Sequence, residues 1–277
     1  MFVSLLEQHF IHVSLLAAGV AAVVAGSLSP LVIARRQAFS VHGMAELGLT
    51  GAAGGLLAGI DAATGALIGS VTIGALLGVL GLRDRDRDAA TGVVLAAGLG
   101  LGVLFLTRIN GYATTGFGLL FGSITSVSGG QLRLLVVVGA VVMAGLIVIW
   151  RPLWFASVDA AAAEARGVPV RTLAVIFPIM LGAAVAETIQ VTGVLLILTL
   201  VVTPAAAATR LSARPAAVLG LSIAAAVIAA EGGVLASLEW NAPASFFVSM
   251  ISFAVYVLAR LVGGRRRGRR LTAHWEI

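Results

Sequence analysis

The sequence predicts an all-α fold, a polytopic transmembrane helical bundle of eight or nine spans, from three observations. Hydrophobic residues make up 60% of the 277 residues and charged residues only 11%, more apolar surface than a soluble domain can bury. The apolar residues fall into runs of roughly 20, the length that crosses a bilayer core about 30 Å thick. The charged residues lie mainly between these runs. A single transmembrane domain over residues 1–277 is therefore expected.

Nine apolar runs are the candidate spans. They must be helical because lipid cannot satisfy an exposed backbone. The runs lie at about 12–34, 38–60, 64–82, 89–107, 132–150, 170–190, 192–209, 215–236 and 244–262. Nine spans place the amino terminus outside and the carboxyl terminus inside, and merging or re-entry of one run leaves eight. The Gly- and Ser-rich piece 116–130 is a candidate interfacial or re-entrant element.

The basic residues assign the cytoplasmic side. All 18 are arginine, and they cluster between the apolar runs and in the tail at 263–277, which contains RRRGRR. This distribution follows the positive-inside rule, so a multi-pass protein of the cell (inner, cytoplasmic) membrane with a cytoplasmic carboxyl terminus is expected. The tail suits anionic lipid head groups, and the pattern does not favour nucleic-acid binding.

Several kinds of chemistry are excluded or disfavoured by the sequence. There is no cysteine, which excludes disulfides and thiolate metal sites. The first residues lack a basic region ahead of their apolar run, so a cleaved signal peptide is not expected. No Walker A, HExxH or GxSxG motif occurs. We therefore predict no enzyme activity and no ATP hydrolysis by this chain alone.

The loop at 151–171 has the pattern of a short helix of about 157–167. Ser157 can cap it, Asp159 suits its first turn, and Glu164 propagates it after four alanines. Gly167 and the proline that follows end it. The helix is too short and too polar to span, and it lies on the arginine-rich side. It is either an ordinary loop helix or a docking element for a cytoplasmic partner.

His42 and Glu46 are ionisable residues inside an apolar run, a position that is costly and usually functional. If the helix begins near Gln37 at the cytoplasmic face, Glu46 lies about 14 Å along it, close to the bilayer midplane. Residues four apart share a helix face, so an imidazole nitrogen and a carboxylate oxygen can converge on one metal ion. A neutralised hydrogen-bonded pair and a proton relay are the alternatives.

The remainder of this helix has two distinct faces. One face is a ridge of small residues that lets another helix approach closely. The other is expected to be free to line a pathway. The ridge consists of Gly48, Gly51, Gly55 and Gly59, and the opposite face of His42, Glu46, Leu49 and Ala53.

Four further acids are predicted toward the outer side of the bundle, as a possible cation entrance. By the same helix counting three of them fall in the outer third or at the mouth and Glu239 falls just outside, and negative charge there concentrates cations. They are Asp61, Glu187, Glu231 and Glu239. Each alone is more often a locally hydrogen-bonded interface residue. His9 and His12, near the outer terminus, can assist capture, although a solvated histidine pair is the ordinary interpretation.

These features together resemble the membrane-spanning permease of ABC importers for zinc, manganese and iron(II). RRQAFSVHGMAELGLTG, at 35–51, is similar to that family's RRMAFxGDALSHAxLPG, with the carboxylate and histidine in reversed order. FASVDAAAAEARGVPV resembles its coupling segment FDPExAxxxGV. Further similar stretches follow in the family's order: DAATGVVLAAGLGLGVLFL, GLLFGSITSVSGGQL, VTGVLLILTLVVTPAAAATRL and SLEWNAPAS.

The resemblance implies a homodimer that carries a divalent metal along its twofold axis, with zinc or manganese as the first candidates and iron(II) as the alternative. It assigns metal handling to His42 and Glu46, and ATPase coupling to Ser157, Asp159, Glu164 and Gly167. It also implies separate cytoplasmic ATP-binding subunits and an extracytoplasmic metal-binding protein. No permanently bound cofactor is expected, because the metal is cargo. A proton-coupled secondary transporter and an importer of a larger metal chelate are the alternatives, and an intramembrane enzyme is disfavoured.

Overall fold

The computed structural model describes residues 9–80, 84–109, 128–194, 196–240 and 242–272, with the isolated positions 118, 120 and 122. These residues are mainly α-helical, as predicted, and no strand occurs among them. Most of the segment 116–130 lies outside the described residues. The helices are α1 (His9–Ala34), α2 (Ala38–Leu57), α3 (Ala62–Leu80), α4 (Asp84–Leu106), α5 (Gly129–Val158), α6 (Ala160–Ala165), α7 (Val170–Thr192), α8 (Ile197–Val201), α9 (Thr203–Leu211), α10 (Pro215–Trp240) and α11 (Ala244–Thr272).

Six helices in the described part of the chain are long and apolar enough to cross a membrane. They are α1, α3, α5, α7, α10 and α11. A count of eight or nine stays a prediction, since it requires crossing by α2 and by one or both of the shorter apolar helices Thr91–Leu106 and Ile197–Leu211. The basic tail begins within α11, which continues to Thr272.

The apolar run at 192–209, expected as one span, is broken. Gly193, at φ +75°, ends α7. The short helices α8 and α9 then meet at Val202, where φ is −118°. Pro204 stands in the first turn of α9, where its missing N–H costs nothing, and it cannot donate the hydrogen bond that would continue α8. Apolar composition alone therefore overstated the length of this helix.

The glycine ridge of α2 packs against α3 at backbone distance. A Cβ added to Gly51 would overlap the carbonyl oxygen of Gly65 and lie 2.9 Å from the Cα of Gly69. Gly48 and Gly55 also face α3. This part of the ridge is confirmed. Gly59 does not belong to it, because it lies beyond the end of α2 in open space at φ +77°.

A second neighbour, α4, packs against a different side of α2. The Thr50 hydroxyl lies 2.7 Å from the carbonyl oxygen of Gly98 and donates to it. Near the start of α2, a Cβ at Gly43 would lie 3.0 Å from the Thr91 methyl carbon. With α3 on one side and α4 on another, and with α7 and α8 also in contact, α2 is an inner helix of the bundle.

The short helix after α5 exists, but its start differs from the prediction. Asp159 is the N-cap, and its side chain accepts a 2.9 Å hydrogen bond from the N–H of Ala162. The expectation that Ser157 caps this helix is wrong, because α5 extends to Val158 and the Ser157 hydroxyl donates to the carbonyl of Leu153. The predicted stop at Gly167 is confirmed.

The end of α6 is a Schellman motif. Gly167 has φ +79°, and its N–H donates to the carbonyl of Glu164. The N–H of Val168 donates to the carbonyl of Ala163. With Asp159 at one end and this motif at the other, α6 is a six-residue helix held between α5 and α7.

Asp61 has a local structural role at the start of α3. Its carboxylate accepts hydrogen bonds from the hydroxyl of Thr64 and, at 3.0 Å, from the Thr64 backbone N–H. These bonds hold the pKa of Asp61 below its ordinary value, and the bond from the Thr64 hydroxyl has the larger effect. Its lowered pKa is thus explained by helix capping.

Removal of this cap should destabilise α3. We expect Asp61→Ala to cost about 1 kcal/mol of stability near neutral pH, and Asp61→Asn to cost less because asparagine is also a good cap. Since the folded-state pKa is lowered, the extra stability is present above the ordinary Asp pKa of about 3.9 and is lost as pH falls through the folded value. Thermal unfolding in detergent at neutral and acidic pH measures this. A difference in stability between the wild type and Asp61→Ala that grows as the pH is lowered would contradict this prediction.

Candidate functional site

The His42–Glu46 pair lies in the first turns of α2, close to a tight connection from α1. The N–H groups of Arg35, Arg36 and Gln37 all donate to carbonyls in the last turn of α1. Arg36 is left-handed at φ 54°, and Gln37 is the N-cap of α2. The chain therefore turns within three residues, and α2 begins where the sequence predicted.

The two side chains approach each other without forming a hydrogen bond. His42 Nε2 and Glu46 Oε1 are 3.8 Å apart, which is within ion-pair range but beyond a hydrogen bond. Within the described residues, His42 Nδ1 and Glu46 Oε2 are buried atoms with no hydrogen-bond partner. Such buried unsatisfied atoms are costly and require an explanation. The hydrogen-bonded-pair interpretation is therefore not what this geometry shows.

The pair has an exposed member and a buried member. The His42 side chain is 34% exposed and that of Glu46 is 6% exposed. Leu49 and Ala53, expected to line an open face with them, are buried in the core of the bundle. The expected free face is therefore restricted to the turn that holds the pair, where His42 is the accessible group and Glu46 lies behind it.

The described side chains of one copy do not form a complete metal site. Among the described side chains, no group of three or more His, Asp or Glu residues is placed to hold an ion. His42 and Glu46 are two candidate ligands, whereas protein zinc sites use three or four. A metal at this position needs ligands from elsewhere, such as water or a second copy of the chain.

Two of the four predicted entrance acids lie near one cavity between α1, α5 and α10. Its volume is about 750 Å³, and Glu231 lies in its wall. The remaining lining is mostly apolar: His12, Leu15, Leu16, Gly19, Val20, Val23, Val24, Gly139, Ala140, Met143, Val227 and Leu235. His12 lies in the first turn of α1 rather than in a loose terminus, and it lines this cavity.

Glu187 lies behind the wall of the same cavity. It is 2% exposed, and a Cβ on the wall residue Gly139 would be 3.5 Å from its Oε2. Neither carboxylate oxygen of Glu187 has a hydrogen-bond partner in the described part of the chain. Asp61 and Glu239 are exposed and do not line the cavity. The four acids predicted together are thus separated into two at the cavity and two at helix ends.

A sequence model of the ABC 3 transport family matches residues 7–263. The chain belongs to this family. It is therefore an ABC transport permease subunit and not an enzyme, and ATP is hydrolysed by a separate subunit. The family resemblance inferred from the motifs is confirmed, and so is the prediction of a multi-pass membrane protein.

This chain is similar over nearly its whole length to several curated proteins. It is 25% identical over 276 residues to the manganese transport system membrane protein MntC of Halalkalibacterium halodurans, covering 99% of this chain and 94% of that protein. It is also 25% identical to the manganese import system permease protein ScaB of Streptococcus gordonii, with 94% of each covered. The probable iron transport system membrane protein of Haemophilus influenzae is 24% identical, with 92% and 94% covered.

Solved structures share the fold. PsaBC from Streptococcus pneumoniae, solved in complex with Fab, superposes with a TM-score of 0.87 at 23% identity, covering 98% of both chains. A metal-chelate type ABC transporter in an inward-facing conformation gives a TM-score of 0.70 at 14% identity, with 88% of this chain and 84% of that chain covered. At these identities the likeness supports the fold alone.

Proposed function

We propose that the chain is the membrane-spanning subunit of an ATP-driven importer for a divalent transition metal, with manganese the favoured cargo. The His42–Glu46 pair carries the proposal, because an imidazole nitrogen and a carboxylate oxygen that face each other without a hydrogen bond suit a hard or borderline cation. Manganese is favoured over zinc because the relatives MntC and ScaB are manganese proteins by name. Iron(II) stays a candidate, since a relative of similar identity is named for iron.

The separation of the two atoms suits an ion between them. With 3.8 Å between His42 Nε2 and Glu46 Oε1, an ion about 2.2 Å from each would see them at an angle of roughly 120°. Conduction also requires release, so a site with few protein ligands is suited to passing an ion onward.

A homodimer completes the site in this proposal. Two copies of His42 and Glu46 facing a twofold axis supply four ligands, enough for zinc or, with added water, manganese. His42 is the exposed member of each pair, so it is the group that a second copy can approach. Among the candidate spans, α5 and α11 are the least buried, which leaves apolar surface for lipid and for a partner copy.

Coupling to ATP is assigned to the exposed surface around α6. Asp159, Glu164 and Gly167 are exposed there and Ser157 is half-buried. A cytoplasmic ATP-binding subunit that contacts this surface would place α6 and the carboxyl terminus on the cytoplasmic side of the inner membrane. An extracytoplasmic metal-binding protein would then deliver the ion to the opposite side.

The cavity between α1, α5 and α10 is the proposed approach for the cation within each copy. Its lining residues on α1 extend from His12 to Val24, about 18 Å along the helix axis at 1.5 Å per residue. Glu231 in its wall supplies a carboxylate to an otherwise apolar lining, and the buried Glu187 lies behind Gly139. Negative charge in a cleft with low-dielectric walls concentrates cations.

Uptake by the assembled transporter in lipid vesicles tests the proposal. Vesicles that contain this chain, its ATP-binding subunit and its metal-binding protein should accumulate radioactive manganese only when ATP is supplied to the cytoplasmic face. Accumulation by the chain alone, driven by a proton gradient, would support the secondary transporter instead. Uptake of a metal chelate but not of the free ion would support the larger-cargo alternative.

A further inference from the structure

Arg35 joins three helices at the cytoplasmic end of the proposed transport path. It lies in the turn between α1 and α2, and its Nη1 donates to the Ser157 hydroxyl near the end of α5 at 3.2 Å. Its guanidinium carbon also lies 5.3 Å from the ring centroid of Phe177 in α7, within the range of a cation–π contact. One side chain thus connects the start of α2, the helix that carries His42 and Glu46, to both helices that flank α6.

The contacts of Arg35 are made to well-fixed groups. Phe177 is fully buried. The Ser157 hydroxyl accepts from Arg35 while it donates to the carbonyl of Leu153 at 2.6 Å. Two geometrically different contacts on separate helices restrict the position of the guanidinium. Lysine cannot reproduce this arrangement, because it lacks the planar group that both stacks and donates from its edge.

The end of α5 that Arg35 contacts is also attached to α6. Asp159, two residues after Ser157, is the N-cap of α6. The Arg166 guanidinium at the far end of α6 lies 5.4 Å from the ring centroid of Phe155 in α5. Both ends of α6 are therefore attached to the last turns of α5. A push on α6 must move Phe155 and Ser157 or break these contacts.

The turn that holds Arg35 is short and well fixed, and it leads directly to the His42–Glu46 pair. Its three N–H groups are bonded back to α1, and Gln37 at its end is buried. His42 follows five residues after Gln37, in the second turn of α2. Displacement of Arg35 is therefore passed to the first turns of α2, where His42 and Glu46 lie.

We propose that Arg35 is a positioning residue that transmits movement of α6, through Ser157 and Phe177, to the His42–Glu46 helix. The inference rests on the proposed ATP-driven function. Arg35 touches neither ATP nor metal in this role, and its effect is on the amount of metal moved per ATP hydrolysed. The positive-inside rule accounts for a basic residue here but does not account for two specific contacts on two other helices.

The test measures ATP hydrolysis and manganese uptake in the same vesicles, with the transporter fully assembled. Arg35→Ala should retain ATP hydrolysis and lower manganese moved per ATP by about 2- to 30-fold, the range for residues along a coupled network. Arg35→Lys should have a smaller defect. Arg36→Asn is the matched control, because Arg36 is adjacent and exposed and asparagine tolerates its left-handed backbone.

Two contact variants keep the test decisive if Arg35→Ala does not assemble. Ser157→Ala removes the hydrogen-bond acceptor, and Phe177→Leu removes the ring but keeps an apolar side chain. A lowered uptake-to-hydrolysis ratio in both supports the proposal. An unchanged ratio in Arg35→Ala, or in both contact variants, overturns it, as does an equal loss in Arg36→Asn. Absence of ATP-dependent uptake in the wild type would instead refute the proposed function.

Discussion

Glu46→Gln should lower ATP-dependent manganese uptake by the assembled transporter at least about tenfold, and His42→Ala should do the same. The reason is direct ligand loss, since even removal of an outer partner of a metal ligand costs roughly 10- to 100-fold in affinity or activity. Glutamine preserves the shape of the buried side chain and removes its charge, so folding should be little affected. Initial uptake rates at matched protein levels measure the effect.

Asp61→Asn is the matched control for this prediction. It makes the same carboxylate-to-amide change at an exposed residue whose hydrogen bonds are local to α3. Uptake by Asp61→Asn should equal that of the wild type. ATP hydrolysis in the absence of metal should equal the wild-type rate in Glu46→Gln, His42→Ala and Asp61→Asn. If Glu46→Gln and Asp61→Asn transport equally well, the pair has no part in moving the ion.

Gly51→Ala should cause the largest loss of folded protein among single methyl additions to α2. The new Cβ would overlap the carbonyl oxygen of Gly65 and crowd the Cα of Gly69. Both are backbone atoms of α3, so relief requires the two helices to separate. Over-packing of this kind typically costs about 1–3 kcal/mol, and sometimes more. Yield of monodisperse protein in detergent and its thermal midpoint are the measurements.

Gly100→Ala provides the opposite control within the neighbouring helix α4. Nothing lies within 4 Å of a Cβ at this position, and alanine is favoured over glycine in a helix by about 1 kcal/mol. This variant should be as stable as the wild type or more stable. Equal behaviour of the two alanine variants would show that α2 and α3 are not in backbone contact.

The elements that sequence alone predicted are those with strong local signals. The α2 start at Ala38, the contact of Gly48, Gly51 and Gly55 with a neighbour, and the stop at Gly167 each depend on residues within one or two turns. The break at Val202 was missed because hydropathy carries no information about backbone geometry. Ser157 was misassigned because Asp159, two residues later, is an equally good cap.

The arrangement of the site depended on contacts between distant segments, which no local pattern encodes. Helix counting placed Glu187 and Glu231 toward the outer side of the bundle, but only the packed bundle places both at the cavity beside α1. The same packing leaves Asp61 at a helix end and buries Leu49 behind His42. The contact of Arg35 with Ser157 joins residues 122 positions apart, and the sequence contained no signal for it.

The central claim is that the imidazole and the carboxylate act together as ion ligands, whichever residue carries which. Manganese uptake by the exchanged variant His42→Glu/Glu46→His, compared with His42→Ala/Glu46→Ala, tests it most directly. We predict that the exchanged variant transports manganese in the presence of ATP and that the double-alanine variant does not. Wild-type uptake by the double-alanine variant, or an exchanged variant as inactive as the double-alanine one, would contradict the claim.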